Sequence, residues 1–113
     1  MLADHGALVE AGDLWVATDE GGEVVGVVTL RTEAGIAFLG ALAVTPSLVG
    51  SGLGTRLLEW AEDHARAEGC TEVRLYTNVA MTENLAWYPR RGYHETGRGT
   101  VDGYDRAQFA KPL

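Results

Sequence analysis

The feature that most constrains the fold is a run of nine apolar residues, Ile36 to Val44, which a short loop joins to an amphipathic helix pattern. An apolar run of this length is typical of a strand that is covered on both faces of a sheet. Apolar residues then recur every fourth position between Gly52 and about Glu68, which predicts a helix that ends at Gly69. The residues that define its apolar face are Leu53, Leu57, Leu58, Ala61 and Ala65. A strand, a loop and a helix are therefore expected in direct succession.

Shorter patterns on either side predict further elements. Strands are expected at 14–17, 24–30, 72–77, 93–97 and 104–110, and a second helix at 82–91. Residues 2–11 show a weak helical spacing that Gly12 would end. Pro89 has no N–H group, so the second helix is expected to kink or restart there. This order predicts one mixed α/β domain over residues 1–113.

Charge and cysteine content exclude several classes of protein. Nine Lys and Arg against sixteen Asp and Glu give a net charge of −7, which argues against nucleic-acid and anionic-membrane binding. No apolar run approaches the roughly 18 residues that a membrane span needs, and the first residues show no secretory signal. Cys70 is the only cysteine, which excludes an internal disulfide and a cysteine-based metal cluster. A cytoplasmic location is expected.

The loop at 46–55 carries glycines at alternating positions, Gly50, Gly52 and Gly54. Glycine lacks the β-carbon that would keep a ligand from the backbone, and the first amides of the following helix have no partner within it. Such a loop can hold a phosphate or pyrophosphate despite the net charge, and a flexible turn is the alternative. The dinucleotide-binding pattern fails because Thr55 stands where it requires glycine, and the chain has no Gly-Lys pair for a P-loop.

Two motifs together resemble those of the GNAT family of N-acetyltransferases. Leu42-Ala43-Val44-Thr45-Pro46 with Gly50-Ser51-Gly52-Leu53-Gly54-Thr55-Arg56-Leu57-Leu58 is similar to the family's acetyl-CoA-binding motif. Tyr88-Pro89-Arg90-Arg91-Gly92-Tyr93 is similar to its later signature. The resemblance covers about residues 14–113. It implies a mixed, mostly antiparallel sheet with helices on both faces, and acetyl transfer from acetyl-CoA to a primary amine of a small molecule or peptide.

The resemblance also implies how acetyl-CoA would bind. The pantetheine arm would lie along the strand at Leu42, Ala43 and Val44, and Asn84 would offer it a hydrogen-bond donor. The backbone amides of the loop would hold the pyrophosphate. These are the amides of Val49, Gly50, Ser51, Gly52, Leu53, Gly54 and Thr55.

The catalytic groups follow from the same resemblance. Tyr88 would protonate the departing thiolate as general acid, and an amide near Ala43 or Val44 would stabilise the oxyanion. No general base stands out, because Glu33, Glu83 and Asp102 are each more typical of solvated surface carboxylates, and loss of the amine proton to water is an alternative. No metal is expected, since His5, His64 and His94 are scattered along the chain.

The sequence departs from the family pattern in several places. Val49 replaces the usual Gln or Arg at the start of the loop, and Met81 and Asn84 occupy positions where the family often has Asn and a small residue. The first strand and helix are missing or shortened. The edge at Leu14 to Thr18 would then be open or covered by another chain, which predicts a homodimer.

Other assignments stay open at this level. Tyr76, Thr77 and Asn78 could line the acceptor cleft together with Trp87, and Arg90 and Arg91 could reach a phosphate or only complement the helix dipole. The acidic surface favours a cationic acceptor. The alternatives to an enzyme are a non-catalytic acyl-CoA-binding module, a subunit completed by a partner chain, and a purely structural domain.

Overall fold

A computed structural model describes residues 8–11, 14–101 and 103–113. Within these residues the chain forms a seven-stranded sheet in the order β1-β2-β3-β4-β5-β7-β6, in which only the β4–β5 pair is parallel. The strands are β1 (Leu8–Ala11), β2 (Leu14–Thr18), β3 (Val24–Glu33), β4 (Ile36–Val44), β5 (Glu72–Asn78), β6 (His94–Val101) and β7 (Tyr104–Pro112). The helices are α1 (Leu53–Ala67) and α2 (Thr82–Trp87). The predicted mixed, mostly antiparallel α/β fold is confirmed.

Both helices pack on the same face of the sheet. The apolar side of α1 buries Leu58 and Ala61 against strand residues such as Leu30, and the segment after α2 adds Tyr88 to the same core. The prediction had helices on both faces, and in the described part of the chain the second face carries none. We call this second face the open face. Neither described helix is long and apolar enough to cross a membrane.

The apolar strand β4 is covered on one face only, so the prediction of a strand covered on both faces is wrong for the described residues. Ala37 and Leu39 are buried, whereas Gly40, Ala41 and Ala43 are exposed. The exposed positions in the second half of the run carry the smallest apolar residues, glycine and alanine. These leave space beside the strand rather than filling a core.

The sheet opens between β4 and β5. The two strands pair at only four positions, from Ile36 opposite Glu72 to Leu39 opposite Leu75. Gly40 forms a bulge at this point, since Thr29 pairs with Ala41 while Leu30 pairs with Leu39. Beyond the bulge β4 stays with β3, and β5 stays with β7. A V-shaped opening results between the ends of β4 and β5.

The N-terminal segment differs from the prediction. Residues 8–11 form strand β1 rather than part of a helix, and 2–7 lie outside the described residues. Pairing from Leu8 opposite Ala17 to Ala11 opposite Leu14 covers the edge of β2. An available sheet edge thus outweighs a weak helical spacing over so short a segment. The homodimer stays a prediction, but the open edge on which it depended is occupied.

The second helix is divided at Pro89, as the sequence predicts. Helix α2 ends at Trp87, and a separate 3₁₀ turn runs from Pro89 to Arg91. Gly92 then ends the turn with φ of 91°. This break fixes where the side chains of Tyr88 and Arg91 lie.

Candidate active site

A cavity of about 440 Å³ lies beside the opening between β4 and β5, on the face that carries the helices. Its walls come from the end of β4, the glycine loop, the first turn of α1, and α2 with the turn that follows. It brings together ten of the twelve residues that the sequence singled out, whereas Ser51 and Leu53 are not among its lining residues. The lining consists of Leu42, Ala43, Val44, Val49, Gly50, Gly52, Gly54, Thr55, Glu83, Asn84, Trp87, Tyr88 and Arg91.

The backbone of β4 presents alternate residues to this cavity. The N–H of Thr45 donates to the carbonyl of Val25 on β3 at 2.8 Å, so Thr45 faces β3. Because successive residues of a strand face opposite sides, Ala43 also faces β3, and Leu42 and Val44 face the opening. The peptide groups of Leu42 and Val44 are therefore available to a ligand. Of the two amides expected to stabilise an oxyanion, only that of Val44 points away from β3.

Three amides of the loop at 49–55 already have partners. The N–H of Val49 donates to the carbonyl of Pro46 at 3.3 Å, and that of Ser51 donates to the carbonyl of Leu48 at 3.0 Å. The N–H of Leu53 donates to Oγ of Ser51 at 3.3 Å. The expectation that every amide in this segment is free is wrong for these three, because carbonyls of the 3₁₀ turn over Pro46–Leu48 accept from the first two and the Ser51 side chain accepts from the third.

The four remaining amides are those of Gly50, Gly52, Gly54 and Thr55, and none of them donates to another described residue. Gly50 and Gly52 have φ of 86° and 93°, a left-handed conformation that favours glycine. Gly54 and Thr55 lie in the first turn of α1, where amides have no intrahelical partner. These N–H groups lie at or beside the positive end of the α1 dipole, where an anionic group is favoured over a neutral one.

Tyr88 borders the cavity and is only 7% exposed. Its ring contacts those of Trp87, Tyr93 and Phe109, with centroid distances of 5.0, 5.6 and 6.0 Å. Its hydroxyl makes no hydrogen bond to another described residue, and burial alone raises its pKa to about 12. The hydroxyl therefore keeps its proton throughout the physiological pH range.

The amide of Asn84 is already used within the protein. Its Nδ2 donates to Oγ1 of Thr77 at 3.1 Å and contacts Sδ of Met81 at 3.8 Å. Asn84 thus fixes α2 to the end of β5. The side-chain oxygen of Asn84, an acceptor, is the group left for a ligand, rather than the donor that the resemblance implies.

Arg91 contributes to the site in a way that the sequence left open. Its Nε and Nη2 donate to Oγ1 of Thr55 at 3.1 and 3.0 Å, and its Nη1 donates to the carbonyl of Trp87 at 2.9 Å. The guanidinium lies 3.8 Å from the centre of the Trp87 ring. Arg91 therefore links the first turn of α1 to the end of α2 and places a positive charge on the cavity wall. Arg90, in contrast, is exposed.

A buried charged cluster lies behind the aromatic residues. Glu62 accepts a hydrogen bond from the Tyr93 hydroxyl at 2.9 Å, and Nζ of Lys111 lies 3.1 Å from both its oxygens. Burial, with the neighbouring Glu62 charge, raises the pKa of Tyr93. These residues do not line the cavity; they fix α1 to β7 and to the start of β6.

The other candidates are spread over the molecule. Glu83 borders the cavity, Glu33 lies at the far end of β3, and Asp102 is outside the described residues. His64 stacks on Trp60 with a centroid distance of 5.1 Å. Among the residues that the structure describes, no group of three or more His, Cys, Asp or Glu is arranged to hold a metal ion.

Comparison with known proteins identifies the family of this chain. The model of the acetyltransferase (GNAT) family matches residues 2–93. The chain is 32% identical over 98 residues to an IAA acetyltransferase of Azospirillum brasilense, covering 85% of this chain and 64% of that protein. It is 33% identical over 81 residues to an aminoalkylphosphonate N-acetyltransferase of Salmonella typhimurium, covering 66% and 53% respectively. The chain thus spans about half to two thirds of the length of these curated relatives.

A solved structure is similar over most of the chain. It is that of an IAA acetyltransferase from Bacillus cereus, with a TM-score of 0.76 and 25% sequence identity. The superposition covers 88% of this chain and 77% of that one.

Proposed function

Because the chain belongs to the acetyltransferase (GNAT) family, we propose that it transfers an acetyl group from acetyl-CoA to a primary amine of a small molecule or peptide. One observation carries this proposal: the residues with the four unpaired amides, Leu42 and Val44 with their outward-facing peptide groups, and Tyr88 all line one cavity. An anion site, a strand edge and a proton donor are what a diphosphate-bearing thioester requires.

The cavity suits acetyl-CoA in two respects. The amides of Gly50, Gly52, Gly54 and Thr55 would donate to the diphosphate, and a net charge of −7 does not prevent this because the contacts are short-range. The pantetheine arm would pair with Leu42 and Val44 as an additional strand edge. Arg91 adds a positive charge on the same wall.

The reaction we propose is direct attack. A neutral amine nitrogen forms a bond to the thioester carbonyl carbon, and the oxygen that becomes negative accepts a hydrogen bond from a β4 peptide N–H that faces the opening. The carbon–sulfur bond then breaks, and the departing sulfur takes the proton of the Tyr88 hydroxyl. The nitrogen gives up its extra proton through water, and Tyr88 regains a proton from solvent. The products are the amide and free CoA.

Two variants at the ends of α1 test the donor site. Gly52 and Gly69 have φ of 93° and 81°, and a Cβ at either position meets nothing within 4 Å. Aspartate tolerates this conformation and adds the same charge at both ends. By calorimetry, we expect Gly52→Asp to weaken acetyl-CoA binding at least tenfold and Gly69→Asp to leave it unchanged, since only position 52 faces the diphosphate.

Acetyl transfer itself is tested by thiol release from acetyl-CoA with a panel of primary amines. Release that depends on the amine, with the acetylated amine identified by mass spectrometry, supports the proposal. Binding of acetyl-CoA without turnover on any amine indicates a non-catalytic acyl-CoA-binding module instead. Absence of binding refutes both.

A further inference from the structure

The open face carries an arginine whose hydrogen-bonding capacity is unused. The Nε of Arg106 on β7 is buried without a partner, and it is the one side-chain nitrogen or oxygen of the described residues in that condition. Its guanidinium lies 5.7 Å from the centre of the exposed Tyr104 ring, a contact that leaves its N–H groups free. The Nε itself is closed to solvent, but Arg106 is only partly buried and its Nη groups are not buried with it, so these are the groups that a ligand oxygen can reach. A guanidinium that makes no hydrogen bond or ion pair with the described residues is costly to hold in the fold, and an oxyanion would supply the missing partner.

Arg106 lies close to the opening between β4 and β5. Arg106 pairs with Asn78, the last residue of β5, and Gln108 pairs with Tyr76. Residues 76–78 form the β5 wall of the opening, because β4 has already separated from β5 at Leu75. Ala107 and Thr77 are buried on the helix face, so Arg106 and Tyr76 lie on the open face. Arg106 therefore stands one strand from the opening, on the side away from Tyr88.

Other arginines of the open face differ from Arg106. Arg74 is paired with Glu72, and Arg31 lies 5.1 Å from the centre of the Phe38 ring, at the closed end of the opening. The net charge of −7 acts over longer distances, and salt screens it beyond about 8 Å. A group that reaches Arg106 therefore experiences mainly its positive charge.

We propose that Arg106 binds an oxyanion of the acceptor, so that the acceptor is an amine carrying a carboxylate, phosphonate or phosphate. This inference rests on the proposed acetyl transfer and specifies its substrate class. The anion and the reacting nitrogen are separated by roughly one strand spacing, about 5 Å, because Arg106 lies one strand from the opening that the amine enters. The charge of this proposed acceptor is opposite to that of the cationic acceptor that the net charge of the protein favours.

The experiment compares acceptors of similar length and different charge. The probes are 3-aminopropanoate and 2-aminoethylphosphonate, which are anionic, 3-aminopropanamide, which is neutral, and 1,3-diaminopropane, which is cationic. Thiol release gives kcat/KM for each, expressed per concentration of neutral amine so that differences in the unprotonated fraction do not enter. The variants are Arg106→Gln, Arg106→Lys and, as a control on the same face, Arg74→Gln.

We expect the wild-type protein to prefer the anionic probes over the neutral one by about 10- to 100-fold in kcat/KM, the usual effect of a charge-assisted hydrogen bond. Arg106→Gln should remove most of this ratio, Arg106→Lys should restore part of it, and Arg74→Gln should keep it. A wild-type preference for the amide or the diamine would overturn the proposal. So would an Arg106→Gln variant that loses activity equally on all four probes.

A binding measurement separates this proposal from the proposed activity. The CoA-loaded protein is titrated with the same four compounds by calorimetry. If no probe is acetylated but the anionic ones bind more tightly and Arg106→Gln removes the difference, the anion site stands and the acetyl transfer fails. If acetylation occurs without charge preference in rate or binding, the anion site fails and the activity stands. If neither acetylation nor charge preference is seen, both fail.

Discussion

Replacing Tyr88 with phenylalanine removes a hydroxyl that the fold does not use. The ring keeps its contacts with Trp87, Tyr93 and Phe109, and the hydroxyl has no hydrogen bond to lose among the described residues. The variant should therefore fold, bind acetyl-CoA and differ from the wild type in the chemical step alone.

The size of the effect follows from the pKa of Tyr88. A positioned general acid contributes about 10²- to 10⁴-fold to a rate. Burial raises the pKa of Tyr88 from 10.0 to about 12, so proton transfer to sulfur is less favourable than from an ordinary tyrosine. With a Brønsted coefficient of about one half, this costs roughly tenfold, and the loss in Tyr88→Phe should lie near the lower limit. We expect kcat to fall about 100-fold, equivalent to about 2.7 kcal/mol.

The matched control is Tyr93→Phe, which removes a hydroxyl from the adjacent ring. That hydroxyl donates to the buried Glu62 and does not reach the cavity, so its loss should lower the free energy of unfolding by about 1–3 kcal/mol and leave kcat nearly unchanged. The assays are thiol release at saturating acetyl-CoA and urea unfolding of both variants. Full turnover by Tyr88→Phe, or equal loss of kcat in both variants, would refute the assignment of Tyr88 as proton donor.

Three further outcomes are expected. Lys111→Met leaves the Glu62 carboxylate, which is 7% exposed, without its cation, and should lower the free energy of unfolding in urea by about 3 kcal/mol. The control, Arg98→Gln, breaks an exposed ion pair and should leave the unfolding midpoint nearly unchanged. Arg91→Gln removes the link between α1 and α2 and should raise the dissociation constant of acetyl-CoA in calorimetry. Because burial raises the pKa of Tyr88 to about 12, the unfolded chain releases this proton from about pH 10 while the folded chain keeps it. The contribution of Tyr88 to stability should be constant below pH 10 and fall by about 1.4 kcal/mol per pH unit up to 12. Since the pKa of Tyr93 is raised as well, Tyr88→Phe should retain a slope, but one shallower by this amount.

Elements with a strong local signal were predictable from the sequence. The leucines and alanines of α1 repeat over four turns, which indicates the helix without reference to the rest of the fold. Pro89 interrupts the second helix because proline lacks an N–H group, whatever surrounds that helix. The approximate position of the cavity was also predictable, because the order of apolar strand, glycine loop and helix brings the end of β4 against the start of α1.

The rest depends on partners that are distant in sequence. Strand β1 forms because the edge of β2 is available, and nothing within Leu8 to Ala11 indicates this. The hydrogen bonds of Arg91 to Thr55 join residues 36 positions apart. Local composition was also misleading, since the small residues of β4 look like core residues in the sequence but stand exposed beside the opening.

The bulge at Gly40 makes two positions on neighbouring strands dependent on each other. A Cβ at position 40 would lie 2.5 Å from Oγ1 of Thr29, a distance that no side chain can occupy. Alanine at 40 therefore requires the Thr29 hydroxyl to move to another rotamer or a smaller residue to replace it, as in Thr29→Ala. A change at this point of β4 is thus coupled to the side chain opposite it on β3, and Thr29→Ala should make alanine at 40 easier to accept.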